Sequence, residues 1–95
     1  MDVTLRHDES SKRYELFTAD GRLVGYLSYE DSLNADTGAL AVRDFQHTVV
    51  LPEFRGQGIS RSLIARAIAD TETTGAEIVA SCSAVAHYLA QQKMN

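Results

Sequence analysis

The sequence predicts an α+β or α/β fold with a mixed sheet of about five strands. In this fold, four antiparallel strands precede a strand–helix–strand crossover, and a helix follows the last strand. Two observations support it. Apolar and polar residues alternate between turn signals in the first half of the chain, as they do in half-buried strands. After residue 58 the apolar residues recur every three or four positions, as in a helix. The 95 residues suit a single domain over residues 1–95.

The first three strands are predicted from this alternation and from turns. Residues 13–18 alternate strictly, and residues 23–29 form the returning strand. Between them, residues 19–22 contain an Asp-Gly pair, which readily takes the positive φ angles of a tight hairpin. A further strand over residues 2–7, followed by a polar turn over residues 8–11, is predicted to precede them.

A long fourth strand is predicted over residues 39–51, after a loop over residues 32–38. Strict alternation assigns its apolar residues to both faces. One face carries Val42, Thr48 and Val50, and the other carries Phe45, Val49 and Leu51. Apolar residues on both faces predict burial on both sides of the sheet.

The rest of the chain predicts a helix, a strand and a second helix. The helix covers about residues 58–73 and ends before Gly75. Residues 76–80 form a short apolar strand, which a right-handed crossover would place parallel to the fourth strand. The hydroxyl-bearing segment of residues 81–83 is suited to cap a final helix over about residues 84–92.

Composition excludes several classes of function. Thirteen acidic and nine basic residues give a net charge of −4, so binding to nucleic acid or an anionic membrane is not expected. The start of the chain lacks the features of a signal peptide, which predicts a cytoplasmic protein.

The single cysteine, Cys82, excludes an internal disulfide framework. Three histidines and one cysteine match no zinc-ligand spacing, so no metal is expected. A monomer and a homodimer both remain open.

Two glycines, Gly56 and Gly58, introduce the first helix directly after a strand. Glycine lets the backbone approach a bulky anion, and a helix start offers unpaired N–H groups, so a phosphate is the expected ligand. The dinucleotide fingerprint is absent because Arg61 stands at the third glycine position, and no Gly-Lys-Ser/Thr of a P-loop occurs.

The segment Arg55-Gly56-Gln57-Gly58-Ile59-Ser60 resembles the Gln/Arg-x-x-Gly-x-Gly/Ala acetyl-CoA motif of the GNAT N-acetyltransferase superfamily. Residues 45–50, residues 81–85 and Tyr88 add a closer similarity to the minimal GNAT-like family of short single-domain acetyltransferases. The resemblance covers residues 45–88. Ser60 departs from it, since the motif usually ends in Gly or Ala, and Ser83 stands where proline is common.

The resemblance implies acetyl-CoA as co-substrate. Backbone N–H groups from Gln57 to Ser60 would hold the pyrophosphate, and the strand edge from Thr48 to Val50 would pair with the pantetheine arm. The implied cofactor-binding residues are Thr48, Val49, Val50, Arg55, Gly56, Gln57, Gly58, Ile59, Ser60 and Arg61.

Three residues are candidates for catalysis. Cys82 precedes the last helix, whose N-terminus would favour a thiolate, and the resemblance makes it a candidate nucleophile; a cysteine that only packs is the alternative. His47 is a candidate general base, or a structural histidine. By resemblance, the Tyr88 hydroxyl would protonate the coenzyme sulfur, although packing of an amphipathic helix also explains a tyrosine there.

These observations predict a small N-acetyltransferase that moves an acetyl group from acetyl-CoA to an unidentified amine. Transfer is either direct or through an acetyl-Cys82 intermediate. A small amine, a protein lysine and a chain N-terminus all stay open as acceptors. The alternatives are a non-catalytic acyl-CoA-binding or regulatory module with the same fold and, third, a protein-interaction domain.

Overall fold

The computed structural model describes residues 2–94 of the chain, which form one five-stranded sheet and two α-helices. The elements are β1 (Val3–Asp8), β2 (Arg13–Thr18), β3 (Leu23–Leu33), β4 (Leu40–Val50), a short 3₁₀ helix (Pro52–Phe54), α1 (Ile59–Glu72), β5 (Glu77–Ala80) and α2 (Ser83–Met94). The strands lie side by side in chain order. β1 to β4 are antiparallel and β5 is parallel to β4, which confirms the predicted mixed sheet.

One face of the sheet and both helices enclose the core. Leu16, Phe45, Leu63 and Val85 come from β2, β4, α1 and α2, and all four are fully buried in the same cluster. Burying side chains of this size contributes about 1.5–3 kcal/mol each. Within residues 2–94, neither helix is long and apolar enough to cross a membrane.

β3 is longer than the sequence predicts. It continues to Leu33, so Ser32 and Leu33 belong to the strand and not to the predicted loop over residues 32–38. The extension forms because Ser32 pairs with Val42 and Glu30 pairs with Asp44 on β4. The turn itself is shorter, and the side chain of Asn34 stabilises it by accepting two backbone N–H bonds.

A β-bulge in β4 reverses part of the predicted face assignment. Ser28 lies opposite His47 while Tyr29 lies opposite Phe45, which leaves Gln46 as an extra, unpaired residue. Facing residues in a sheet share a face, so Phe45 lies on the same face as Thr48.

The expectation of burial on both faces was therefore wrong. The face shared by Phe45, Thr48 and Val50 packs towards the helices, and Val42 and Val49 lie on the opposite face. On that opposite face, Val79 of β5 is 38% exposed. Strict alternation fails here because one extra residue inverts the orientation of every side chain that follows it.

A charged side chain, Arg43 of β4, lies inside the core with only 5% exposure. Its guanidinium donates to both carboxylate oxygens of Asp31, at 2.8 and 2.9 Å, and to the hydroxyl of Tyr14 at 2.9 Å. The group also lies 4.0 Å from the centre of the Tyr29 ring. Burial alone would lower the pKa of Arg43, but the hydrogen bonds to Asp31 and the neighbouring charges raise it, so the group stays charged.

Candidate functional site

The loop between β4 and α1 presents a row of free backbone N–H groups. Gly56 and Gly58 have φ angles of 81° and 73°, in the left-handed region that favours glycine. Gly58 is the N-cap of α1 and provides no capping side chain, and the first helical bond runs from the Ser62 N–H to the Gly58 carbonyl at 3.2 Å. Within residues 2–94, no N–H from Gly56 to Arg61 donates to another group. Such a helix start is suited to an anion.

A small pocket of about 130 Å³ lies against this loop. It is lined by Val50, Phe54, Arg55, Gly56, Gly58, Ile59 and Ser60. Gln57 does not line the pocket, and its side chain is exposed. It contributes only its backbone N–H to the row of free N–H groups. The predicted phosphate loop therefore adjoins the end of β4.

The second half of β4 has an open edge. β5 pairs with β4 only as far as Ala80 opposite Phe45, so the residues after Phe45 have no strand on that side. Val49 faces Tyr26 of β3, and the Leu51 N–H donates to the Val24 carbonyl at 2.9 Å.

Backbone groups alternate in direction along a strand, so those of Thr48 and Val50 point towards the open edge. The side chain of Arg55 confirms this direction, because its Nε donates to the Val50 carbonyl at 3.2 Å. An extended ligand that carries amide groups could pair with this edge as a strand would.

Cys82 is the N-cap of α2, since its carbonyl accepts the N–H of Ala86 at 3.0 Å. Burial is the largest single influence on the thiol and raises its pKa. Hydrogen bonds to the sulfur lower this pKa. They involve the Thr48 hydroxyl, 3.4 Å from the sulfur, and the N–H groups of Val85, Ala84 and Thr48. Together they bring the pKa of Cys82 below its ordinary value, so more of the thiol is ionised at neutral pH.

Two residues of β4 hold the chain at Cys82 in place. The Phe45 carbonyl accepts the N–H groups of both Ser81 and Cys82, each at 3.0 Å. The Asp44 carboxylate accepts the Ser81 N–H at 3.0 Å and the Ser81 hydroxyl at 2.8 Å. Sequence reasoning missed Asp44, because its partner is 37 residues away and only the pairing of β4 with β5 brings them together.

His47 and Cys82 both line an open groove of about 500 Å³ at the edge of the sheet, where His47 lies on the face away from the helices and Thr48, which contacts Cys82, lies on the helix face. It is lined by Tyr26, Ser28, Gln46, His47, Thr48, Val49, Ser81, Cys82 and Ser83. The groove lies where β5 has ended and β4 continues, and the His47 side chain is exposed in it. The arrangement places a candidate base and an acidified thiol beside the same open space.

Tyr88 lines a different pocket, of about 160 Å³, between α1 and α2. Its lining residues are Ser60, Arg61, Ile64, Ala84, His87, Tyr88 and Gln91. The Arg61 guanidinium lies 5.2 Å from the centre of the Tyr88 ring, and its Nη1 donates to the Gln91 side chain at 3.0 Å. Tyr88 is thus grouped with the start of α1 through Ser60 and Arg61, apart from the groove of Cys82.

The described residues contain no group of three or more His, Cys, Asp or Glu side chains that could hold a metal ion. The groove is lined by one imidazole, that of His47 on β4, and one thiol, that of Cys82 between β5 and α2. The site therefore offers N–H donors, a thiol, an imidazole and hydroxyl groups for its chemistry.

Comparison with known proteins gives a family match and several structural matches. A family model described as GCN5-related N-acetyl-transferase matches residues 13–94. A search of curated protein sequences found no match.

Three of the solved structures that match illustrate the similarity. All three are under 25% identical to this chain, so the similarity indicates a shared fold. A ribosomal-protein-alanine N-acetyltransferase from Brucella melitensis biovar Abortus 2308 has a TM-score of 0.59 and 20% identity, over 86% of this chain and 80% of that one. An N-acetylglutamate synthase from Neisseria gonorrhoeae, complexed with coenzyme A and N-acetyl-glutamate, has a TM-score of 0.63 and 18% identity, over 95% and 22%. The aminoglycoside N-acetyltransferase AAC(6')-Iy in complex with CoA has a TM-score of 0.54 and 23% identity, over 79% and 59%. This chain thus spans less than two-thirds of the latter two.

Proposed function

Because this chain belongs to the GCN5-related N-acetyltransferase family, we propose that it transfers the acetyl group of acetyl-CoA to an amine. One observation carries the proposal. The row of free N–H groups at the start of α1 adjoins the open edge of β4, and that edge leads to the groove of Cys82. A phosphate site, an amide-pairing edge and a reactive thiol follow one another in the order that the parts of acetyl-CoA require.

The coenzyme binds along this line. The N–H groups from Gln57 to Ser60 hold the pyrophosphate at the positive end of the α1 dipole. The edge at Thr48 and Val50 pairs with the pantetheine amides once Arg55, which is exposed, releases the Val50 carbonyl, while the Thr48 N–H stays directed at the Cys82 sulfur. Coenzyme A is bound in the solved aminoglycoside N-acetyltransferase and N-acetylglutamate synthase structures, which supports this choice of ligand.

The acetyl thioester then lies in the groove, where two routes are open. In the direct route, the acceptor amine attacks the thioester carbonyl, His47 takes the amine proton, and the coenzyme leaves as a thiolate that a proton neutralises. In the covalent route, the Cys82 thiolate attacks first, coenzyme A leaves, and the amine then attacks acetyl-Cys82 and regenerates the thiol. The lowered pKa of Cys82 favours the covalent route.

Tyr88 is proposed as the proton donor to the coenzyme thiolate. Tyr88 lines the pocket between the helices, next to Arg61. Because this pocket and the groove of Cys82 share no lining residue, Tyr88 can donate to the sulfur only once the departing thiolate has left the groove for the pocket between the helices. The non-catalytic acyl-CoA-binding module stays as the second candidate, because the exposed groove provides no enclosed acceptor site.

The experiment that tests the proposal combines binding with product analysis. We expect calorimetry to show saturable binding of acetyl-CoA, and mass spectrometry to show an acetylated product from a small amine, a lysine peptide or a peptide N-terminus. Binding without any product would favour the non-catalytic module. An absence of binding heat at millimolar coenzyme would reject both candidates and favour a protein-interaction domain.

We expect Cys82→Ala to slow acetyl transfer about tenfold, because it removes the nucleophile of the covalent route and leaves only direct attack. Intact-protein mass spectrometry with acetyl-CoA should show one acetyl adduct on the wild-type protein and none on the variant. Coenzyme A affinity, measured in parallel, should stay unchanged. Unaltered turnover in Cys82→Ala would eliminate the covalent route and leave the rest of the proposal standing.

A further inference from the structure

We propose that Thr48 is a positioning residue whose side-chain hydroxyl donates to the Cys82 sulfur and favours the thiolate. The inference rests on the proposed function insofar as Cys82 reacts with an acetyl group. The ionisation of the sulfur, however, is a property of the protein without its coenzyme. It can therefore be measured whether or not acetyl transfer occurs.

The bulge at Gln46 brings Thr48 to the sulfur. Without this extra residue, strict alternation would place Thr48 on the face opposite Phe45, whose carbonyl anchors Cys82. With it, Phe45 and Thr48 share a face, and Thr48 Oγ1 lies 3.4 Å from Cys82 Sγ. The bulge thus converts a strand position that would point away from Cys82 into one that contacts it.

The hydroxyl of Thr48 has no competing partner. Within residues 2–94 its only hydrogen-bond contact is the Cys82 sulfur. The sulfur in turn lies at the helix start, where the N–H groups of Ala84 and Val85 act on it from α2. Donors from two different elements therefore converge on one atom, and the bonds from Phe45 and Asp44 to the neighbouring backbone fix its place.

A hydroxyl responds to ionisation in a way that a methyl group cannot. It can rotate to donate to a thiolate, and a hydrogen bond to a charged group is stronger than one to a neutral group. Removing it would disfavour the thiolate while the helix donors remain. The other ionisable groups at the groove are Tyr26 of β3 and His47 of β4, and Asp44 binds the adjacent Ser81.

The test measures the rate of alkylation by iodoacetamide, an uncharged reagent, as a function of pH. Cys82 is the only cysteine, so the reaction reports on this sulfur alone. We expect Thr48→Val, which has nearly the same shape, to move the midpoint to higher pH and to slow alkylation about three- to tenfold at pH 7. Thr48→Ser, which keeps the hydroxyl, should behave as the wild type does.

His47→Asn, alone and combined with Thr48→Val, separates the two groups. Thr48→Val should still move the midpoint of alkylation to higher pH when His47 is replaced, since the Thr48 hydroxyl acts on the sulfur directly and not through the imidazole. An unchanged midpoint in Thr48→Val, a shift that disappears in His47→Asn, or an equal shift in Thr48→Ser would each overturn the proposal. Thermal melts verify folding, and Thr48→Ala replaces Thr48→Val in the same measurement if the latter does not fold.

Discussion

We expect Gly58→Val to weaken coenzyme A binding about a hundredfold, or roughly 2.7 kcal/mol. Gly58 is the N-cap of α1 with a φ of 73°, a conformation that a β-branched residue disfavours strongly. Relief of that strain would rotate the peptide groups from Gln57 to Ser60, whose N–H groups are proposed to hold the pyrophosphate. A Cβ at this position would meet no atom within 4 Å, so the loss would come from backbone strain and not from a clash inside the protein.

Gly38→Val provides a matched control. Gly38 has a φ of 75°, and a Cβ there would likewise meet no atom within 4 Å, but the residue lies in the turn between β3 and β4. Both variants should lose about 1–2 kcal/mol of stability from backbone strain. Calorimetry with coenzyme A should then detect weakened binding in Gly58→Val only. Equal affinities in the two variants would show that the pyrophosphate binds elsewhere.

Arg43→Ala should lower the free energy of unfolding by about 3–5 kcal/mol, because it breaks a buried ion pair from one side. The variant would leave the Asp31 carboxylate, whose side chain is 21% exposed, without its two guanidinium bonds. It would also remove a donor from the buried Tyr14 hydroxyl and leave a cavity beside Tyr29. Urea denaturation measures the loss.

Two further variants make this prediction specific. Arg43→Lys keeps the charge but not the two-pronged geometry, so it should recover only part of the stability. Lys12→Ala breaks the exposed ion pair with Glu30, whose atoms lie 3.3 Å apart, and should cost less than about 1 kcal/mol. If Arg43→Ala and Lys12→Ala had the same effect, the buried network would contribute no more to stability than an exposed ion pair does.

Much of the fold was predictable because its signals are local. Residues close together in the chain specify the Asp-Gly hairpin, the glycine loop and the apolar face of α1. The structure has these elements within one or two residues of the predicted bounds. The position of Cys82 at the start of α2 followed from the same local signals. Arg43 was not anticipated, because nothing near it in the sequence distinguishes a buried arginine from a surface one.

The amino-acid sequence by itself determined the order of the elements, the mixed sheet and the glycine loop before α1, because periodicity and glycine conformations act over a few residues. Only the tertiary structure decided that Thr48 faces Cys82, that Asp44 binds Ser81, and that Tyr88 lies apart from the groove. These facts depend on the bulge at Gln46 and on where β5 stops pairing with β4. Both are set by pairing between distant segments, in which one extra residue redirects every side chain that follows.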